Sequence, residues 1–192
     1  TARSGTGGNP PEFSADVPGP NEWVMGEPNT LSLDFEQDLQ HHVQIPDSRE
    51  LDFGDNPSTT NTDESNPFTI EAWVKLETMP TGRNISSAQP VVMKKVIGAG
   101  DDALDYLFLA AAGNYGTATT FNRLALHLGG TNRGAITSSL FIPDTNWHYI
   151  SVALDPVTDT LRFTLDDQVD IQSTTRTGTA NSGPLTIGAH YN

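Results

Sequence analysis

The chain of 192 residues contains no cysteine, and basic residues are scarce. The absence of thiols excludes disulfide frameworks, thiolate metal sites and cysteine nucleophiles. Ten lysines and arginines together stand against 24 acidic residues, so the formal net charge is −14. A field of this sign repels phosphate backbones and anionic lipid heads, which excludes nucleic acid and membrane surfaces as favourable partners. It suits cations and neutral glycans.

Long apolar runs and long helical patterns are also missing. No segment approaches the ~20 apolar residues of a membrane-spanning helix, so no membrane insertion is expected. No i, i+3, i+4 pattern lasts beyond about two turns. The sequence instead contains many short segments in which apolar and polar residues alternate, as in half-buried strands. Predicted strands lie at 68–75, 91–94, 106–110, 124–128, 140–142, 147–154, 161–165 and 185–187.

Many short strands without crossover helices predict an all-β fold, a two-layer antiparallel β-sandwich. Residues 1–30 are rich in proline and glycine and are predicted to be an irregular lead-in or linker. The sandwich domain is predicted to span residues 31–192. It opens with a half-buried strand in which Leu31, Leu33 and Phe35 share the inner face. The polar stretch 47–67 is expected to end in an exposed loop.

Several segments, in order along the chain, resemble bacterial laminin-G-like jelly-roll domains, which belong to the concanavalin-A-like and pentraxin-like superfamily. The resemblance rests on residues 31–35, 43–47, 51–53, 67–75 (Pro-Phe-Thr-Ile-Glu-Ala-Trp-Val-Lys), 146–153 (Asn-Trp-His-Tyr-Ile-Ser-Val-Ala), 161–167 and 184–188. One departure is Asp167, which stands where the family usually has a turn glycine. A second is that the family's closing strand does not follow residue 188, so a fragment or a strand supplied by another segment is expected.

The resemblance implies a non-catalytic binding or adhesion module of an exported, extracellular or cell-surface protein whose signal peptide has been removed. Its expected partner is a glycan, with Ca²⁺ as a supporting ion. The alternative is a structural or protein-interaction domain, with strand exchange or oligomerisation at an open C-terminal edge. A glycoside hydrolase ranks last, and no catalytic residue is predicted. The nearest imitation of a jelly-roll glucanase motif is Glu36-Gln37-Asp38, whose third acid would fall on His41.

A calcium site is predicted in the acidic segment after Gly98-Ala99-Gly100. Asp101, Asp102 and Asp105 cluster there, and Ca²⁺ prefers carboxylate and carbonyl oxygens supplied by loops. The polar loop around Asp63 and Glu64 is a second candidate. A solvated acidic loop is the alternative to both.

Exposed aromatic rings are the predicted sugar contacts. Trp23, Tyr115 and Tyr191 fall in predicted loops and are taken as the ligand-binding candidates. Trp73 and Trp147 lie inside predicted strands and are expected to be packing residues.

The histidines have no spacing that indicates a zinc site. His41 and His42 are expected at the surface, and His148 is expected to have a structural role.

Overall fold

The computed structural model describes residues 10–18, 30–36, 39–53, 66–79, 88–96, 104–111, 123–129, 135–176 and 178–188, and the backbone alone of residues 2–3, 23–24 and 27–28. Within these ranges the regular structure is β apart from one 3-10 turn at Arg49–Leu51. None of the described segments forms a helix with the length and apolar character needed to cross a membrane.

The described residues form fifteen strands. In chain order they are β1 Ala2–Arg3, β2 Glu12–Ser14, β3 Trp23–Val24, β4 Glu27–Pro28, β5 Ser32–Asp34, β6 His42–Ile45, β7 Phe68–Lys75, β8 Gln89–Lys95, β9 Leu104–Ala111, β10 Arg123–Leu128, β11 Ile136–Phe141, β12 Trp147–Asp155, β13 Thr160–Leu165, β14 Gln168–Ser173 and β15 Leu185–Ile187. Each strand predicted from residue 68 onward overlaps an observed strand, although 140–142 meets only the last two residues of β11, and β14 was not predicted.

Two antiparallel sheets form the sandwich. The larger sheet has the strand order β1-β6-β15-β8-β9-β10-β11, and the smaller sheet has the order β14-β13-β12-β7. The chain returns at its end to place β15 between β6 and β8, so β15 has a paired neighbour on each side. The all-β, two-layer antiparallel jelly-roll architecture is confirmed.

The core lies between the two sheets, and the larger sheet is buried on both faces in its centre. All eight residues of β9 are buried. Tyr106 and Phe108 belong to the main cluster against the smaller sheet, while Leu107 and Leu109 belong to a second cluster with Met93. A strand covered on both faces needs apolar residues on both, which explains why β9 is a nearly continuous apolar run rather than an alternating one.

The opening strand differs from its prediction. β5 pairs with β2 in a separate two-stranded sheet, and there Leu31 is 52% exposed and Leu33 is 38% exposed. The predicted inner face is therefore wrong for these two leucines, because β5 is not part of either main sheet. Phe35 does dock on the sandwich: a Cβ built on Gly188 would lie 2.4 Å from its ring.

The hairpin between β13 and β14 turns at Asp166 and Asp167. Asp166 has a positive φ of 52°, a conformation that a residue with a Cβ adopts at a cost. Its carboxylate offsets this cost by accepting hydrogen bonds from the Tyr149 N–H at 3.0 Å and from His148 Nδ1 at 2.8 Å. The expected structural role of His148 follows from this contact, which fastens the turn to β12.

Candidate binding surface

The outer face of the smaller sheet carries a group of aromatic side chains. Along β7 the inward residues are Phe68, Ile70, Ala72 and Val74, so Trp73 points outward. The register places Trp73 opposite Tyr149, with ring centroids 5.7 Å apart and planes inclined by 60°. The same register places Trp147 opposite Lys75. Trp73, Trp147, Tyr149 and Glu71 are called the aromatic face below; its three rings are half-buried.

Carboxylates hold two of these rings by their polar atoms. Tyr149 Oη donates a hydrogen bond of 2.8 Å to Glu71 Oε2. Burial raises the pKa of Tyr149, and the bond to Glu71 raises it further, so the phenol stays neutral and remains a donor. Trp147 Nε1 donates to Asp16 Oδ1 at 2.9 Å, and Asp16 also pairs with Lys75. The segment around Asp16 is thereby attached to this end of the sheet.

The outer face continues from the aromatic rings to a shallow groove. Glu71 lies opposite Ser151, and the next outward row contains Thr69, Ala153 and Arg162. This row lines a groove of about 430 Å³ that also includes Asp155. Because residues on one face recur about every 6.7 Å along a strand, Trp73 and Thr69 are roughly 13 Å apart. A ligand chain with several polar units can therefore contact both ends.

Neither Trp73 nor Trp147 belongs to the core clusters, although both were expected to be packing residues. Trp73 packs against Tyr149 on the outside of the sheet, and Trp147 bonds to Asp16. The alternation of β7 already separated Trp73 from the inward residues. The contact of Trp73 with Tyr149 could not be predicted from the sequence, because it depends on the register between β7 and β12.

The predicted ligand-binding residues lie outside what the structure describes. Tyr115 and Tyr191 fall in segments that are not described, and for Trp23 only the backbone in β3 is described. Their role in sugar binding stays a prediction.

Among the predicted calcium ligands, Asp101 and Asp102 also fall outside the described residues. Asp105 lies in β9 and is fully buried; its Oδ2 accepts a hydrogen bond of 3.0 Å from the Phe53 N–H. Burial raises the pKa of the Asp105 carboxyl to about 7, against the opposing effect of the Phe53 bond, and the nearby charge of Asp52 raises it further.

A different set of acids lies close together at the surface. Ligand oxygens of Asp34, Glu36 and Glu77 all lie within 4.8 Å of one another. Glu36 is half-buried and the other two are exposed. Glu77 was not among the predicted ligands; it follows the end of β7 and is 41 residues from Glu36, its nearest partner in the chain. Carboxylate oxygens of this kind are donors that Ca²⁺ accepts.

The expectation that His41 and His42 lie at the surface is wrong. His41 is 4% exposed and His42 is 3% exposed. The Glu36 N–H donates to His41 Nδ1 at 3.3 Å, and the His41 N–H donates to the Glu36 carbonyl at 3.2 Å. His42 begins β6, which pairs with β1 and β15 inside the larger sheet, so its strand position decides its burial.

The strand order and the buried core define a jelly-roll β-sandwich. The laminin G family model described as "concanavalin A-like lectin/glucanases superfamily" matches residues 40–192. The match covers most of the chain, and the chain belongs to this family. No curated protein matches it.

Membership of the family supports a lectin-like or binding module in general. Domains of this kind are typically non-catalytic, although the superfamily also includes glycosidases. They are commonly extracellular and often bind calcium. The acidic trio Asp34, Glu36 and Glu77 supplies a donor set suited to such an ion.

Proposed function

We propose that this domain is a non-catalytic, carbohydrate-binding adhesion module of an exported surface protein, and that it binds glycans on the aromatic face. The observation that carries the proposal is the pair of Trp73 and Tyr149 rings beside the Glu71 carboxylate. The two rings are half-buried and Glu71 is exposed, and all three lie on an open sheet face outside the core.

The chemistry of this face suits a sugar. An aromatic ring offers a large apolar surface to the C–H face of a pyranose, while a neighbouring polar group fixes its orientation. Glu71 supplies carboxylate oxygens as hydrogen-bond acceptors for sugar hydroxyl groups. The groove beyond Glu71 adds the Thr69 hydroxyl and the Arg162 guanidinium at the other end of the same face.

The net charge restricts the class of glycan. With a formal charge of −14, the domain repels strongly anionic polysaccharides at long range. Neutral glycans escape this repulsion, and we propose them as the ligands. A calcium ion at the acidic trio would reduce the local negative charge and support the adjoining loops.

A glycan array screened with and without a chelator tests the proposal. The expected result is binding of neutral glycans by the wild-type domain and at least a tenfold loss on Trp73→Ala, which corresponds to about 1.4 kcal/mol. Phe141→Ala is the matched control, because Phe141 is an exposed ring, 54% accessible, on the other sheet. Unchanged glycan binding by the Trp73 variant, with its fold intact by circular dichroism, would contradict the proposed location.

A chelator distinguishes the calcium contribution. Binding that disappears on chelation and returns with Ca²⁺ supports a calcium-dependent lectin. Hydrolysis of a bound glycan, abolished by Glu36→Gln, would instead show that the acidic trio is catalytic, since retaining glycosidases place two carboxyl groups about 5–5.5 Å apart.

A protein-binding role is the second candidate, and the edge of the smaller sheet favours it. β7 pairs with β12 along all eight of its residues, and no described strand pairs with its other edge. Open edges accept added strands from other chains. Among the described strands β15 is paired on both sides and offers no open edge, and we propose β7, an edge strand of the smaller sheet, as the place for strand addition. Concentration-dependent dimers or fibres in sedimentation experiments, without glycan binding, would support this role.

A further inference from the structure

A lysine ammonium is enclosed by oxygen atoms at one rim of the sandwich. Lys94, on β8, has a side chain that is 0% exposed. Its Nζ lies 2.7 Å from Asp47 Oδ1 and 3.0 Å from Asp52 Oδ1. It also donates to the backbone carbonyls of Asn181 at 2.9 Å and Gly183 at 2.8 Å. Four oxygens thus surround one nitrogen that has three N–H groups.

These oxygens come from two separate chain segments. Asp47 and Asp52 belong to the connection after β6, and Asn181 and Gly183 belong to the connection before β15. Gly183 lies so close to β8 that a Cβ there would be 2.1 Å from the Lys95 carbonyl oxygen. The ammonium therefore joins two connections to the larger sheet. A structural Ca²⁺ ion cross-links loops in the same way when it binds oxygens from several segments.

A third carboxylate adjoins the same group. Asp105 is fully buried, and its charge interacts with those of Asp52 and Lys94. Within the described residues its Oδ1 accepts no well-formed hydrogen bond, although the Thr179 backbone N–H is near enough to lower the pKa of the carboxyl. The carboxylates of Asp47 and Asp52 and two backbone carbonyls, with Asp105 nearby, are the donor types that Ca²⁺ takes. A single ammonium charge offsets fewer of these negative charges than a divalent ion would.

We propose that the Lys94 ammonium is the resident cation of a calcium-type oxygen cage formed by Asp47, Asp52, Asn181 and Gly183 with Asp105 beside it. In the native chain the lysine makes this rim independent of metal. Without the lysine side chain the same oxygens form a Ca²⁺ site. The oxygens need to move inward by only about 0.4 Å, from ammonium distances to Ca²⁺ distances of about 2.3–2.6 Å.

Lys94→Ala tests this inference, with Lys95→Ala as the matched control. Lys95 follows Lys94 on β8 and is also buried, at 6% exposed. We expect Lys94→Ala to lower the Tm by roughly 10 °C in the presence of a chelator, because it removes the cation from between the part-buried Asp52 and the two backbone carbonyls. Added Ca²⁺, at about 100 times its Kd, should raise the Tm of this variant by roughly 5 to 10 °C.

Calorimetric titration with CaCl₂ then counts the sites. Lys94→Ala should bind one more Ca²⁺ than either the wild type or Lys95→Ala. The double variant Lys94→Ala/Asp52→Asn should lose that additional site. Equal calcium stoichiometry in the wild type and in a folded Lys94→Ala variant would overturn the inference.

The single variant Asp52→Asn covers the case in which Lys94→Ala does not fold. It keeps the lysine and removes one of its ion-pair partners. The expected result is a lower Tm and a calcium stoichiometry equal to that of the wild type. If the wild type binds a Ca²⁺ that Asp52→Asn loses, the cage holds a metal in the native protein and the proposal is wrong. Because the cage lies apart from the aromatic face, neither result depends on glycan binding.

Discussion

Replacement of His148 by glutamine should remove a stabilising bridge that depends on pH. His148 Nδ1 lies 2.8 Å from Asp166 Oδ2, and its Nε2 lies 3.1 Å from Asp144 Oδ1. The histidine side chain is 9% exposed. One ring therefore joins the loop before β12 to the turn between β13 and β14. Glutamine keeps a neutral donor of similar length but cannot carry the positive charge.

The direction of the pH effect follows from the pKa of His148. Burial of the ring opposes its charge, but the hydrogen bonds to Asp166 and Asp144 outweigh burial and raise the pKa of His148 above 6.5. A raised folded-state pKa means that the stabilisation is complete below pH ~6.5 and disappears as the pH rises through the folded-state value. The pKa of Asp144 is lowered, chiefly by the Asn146 N–H and then by His148. The stability that Asp144 contributes is therefore lost as the pH falls through its folded-state pKa.

The magnitude is moderate because the carboxylates are partly solvated. Hydrogen bonds to charged groups contribute about 1.5–3 kcal/mol when buried, and exposed ion pairs contribute about 0.2–1 kcal/mol. The side chains of Asp144 and Asp166 are 51% and 41% exposed. We therefore expect His148→Gln to lower the free energy of unfolding by roughly 2 kcal/mol at pH 5.5 and by about 1 kcal/mol at pH 8.5.

Urea denaturation followed by tryptophan fluorescence at both pH values measures this difference. Groups that titrate equally in the two proteins, such as Asp105, cancel in the comparison. Asp144→Asn provides a control that keeps the turn contact with Asp166 and should show part of the effect. A loss of stability that is constant with pH, or that grows towards pH 8.5, would refute the assignment of a charged bridge.

Three further substitutions test contacts elsewhere in the sandwich. Gly183→Ala places a Cβ 2.1 Å from the Lys95 carbonyl oxygen, so we expect the backbone to shift and the Tm to fall by several degrees in calorimetry. Phe53→Ala removes a ring stacked on Phe68 at 4.2 Å and should lower the free energy of unfolding by about 2–3 kcal/mol in urea; a loss below about 0.5 kcal/mol would show that the stack contributes little. Asp170→Asn weakens a carboxylate that accepts from Ser138 and Ser139 on β11 and from Gln172 on β14, with the shortest bond, from the Ser139 N–H, at 2.6 Å. Burial acts to raise the pKa of Asp170, but these donors lower it, so the wild type's advantage over this variant should be present above pH ~4 and disappear below it in acid-denaturation curves.

The strands from residue 68 onward could be predicted because their patterns are local. In β7 and β13 the alternation of apolar and polar residues is set by the pleat, which turns successive side chains to opposite faces. β9 could be recognised as a strand but not as one buried on both faces, since the residues that pack against its two faces come from distant parts of the chain.

The opening segment shows why the same pattern can mislead. Leu31 and Leu33 alternate with polar residues as an inward-facing strand would, yet Leu33 pairs with Phe13 of β2 and both leucines stay exposed. His41 and His42 differ from their prediction in the opposite direction. Their polarity predicted the surface, but His42 begins β6, His41 directly precedes it, and both are buried. In both cases the neighbouring strand determines exposure, and strand neighbours are not encoded in local periodicity.

The sequence by itself determined the class of fold, the exclusion of thiol chemistry and the face of β7 on which Glu71 and Trp73 lie. These depend on composition and on the two-residue period of a strand. Only the tertiary structure decided that Tyr149 stands across from Trp73 and bonds to Glu71, 78 residues away. It also decided that Lys94 on β8 pairs with Asp47 and Asp52 of the connection that follows β6. The physical reason is that strand register and ion pairing join segments far apart in the chain. They are set by the pairing of strands in the folded state, not by local sequence patterns.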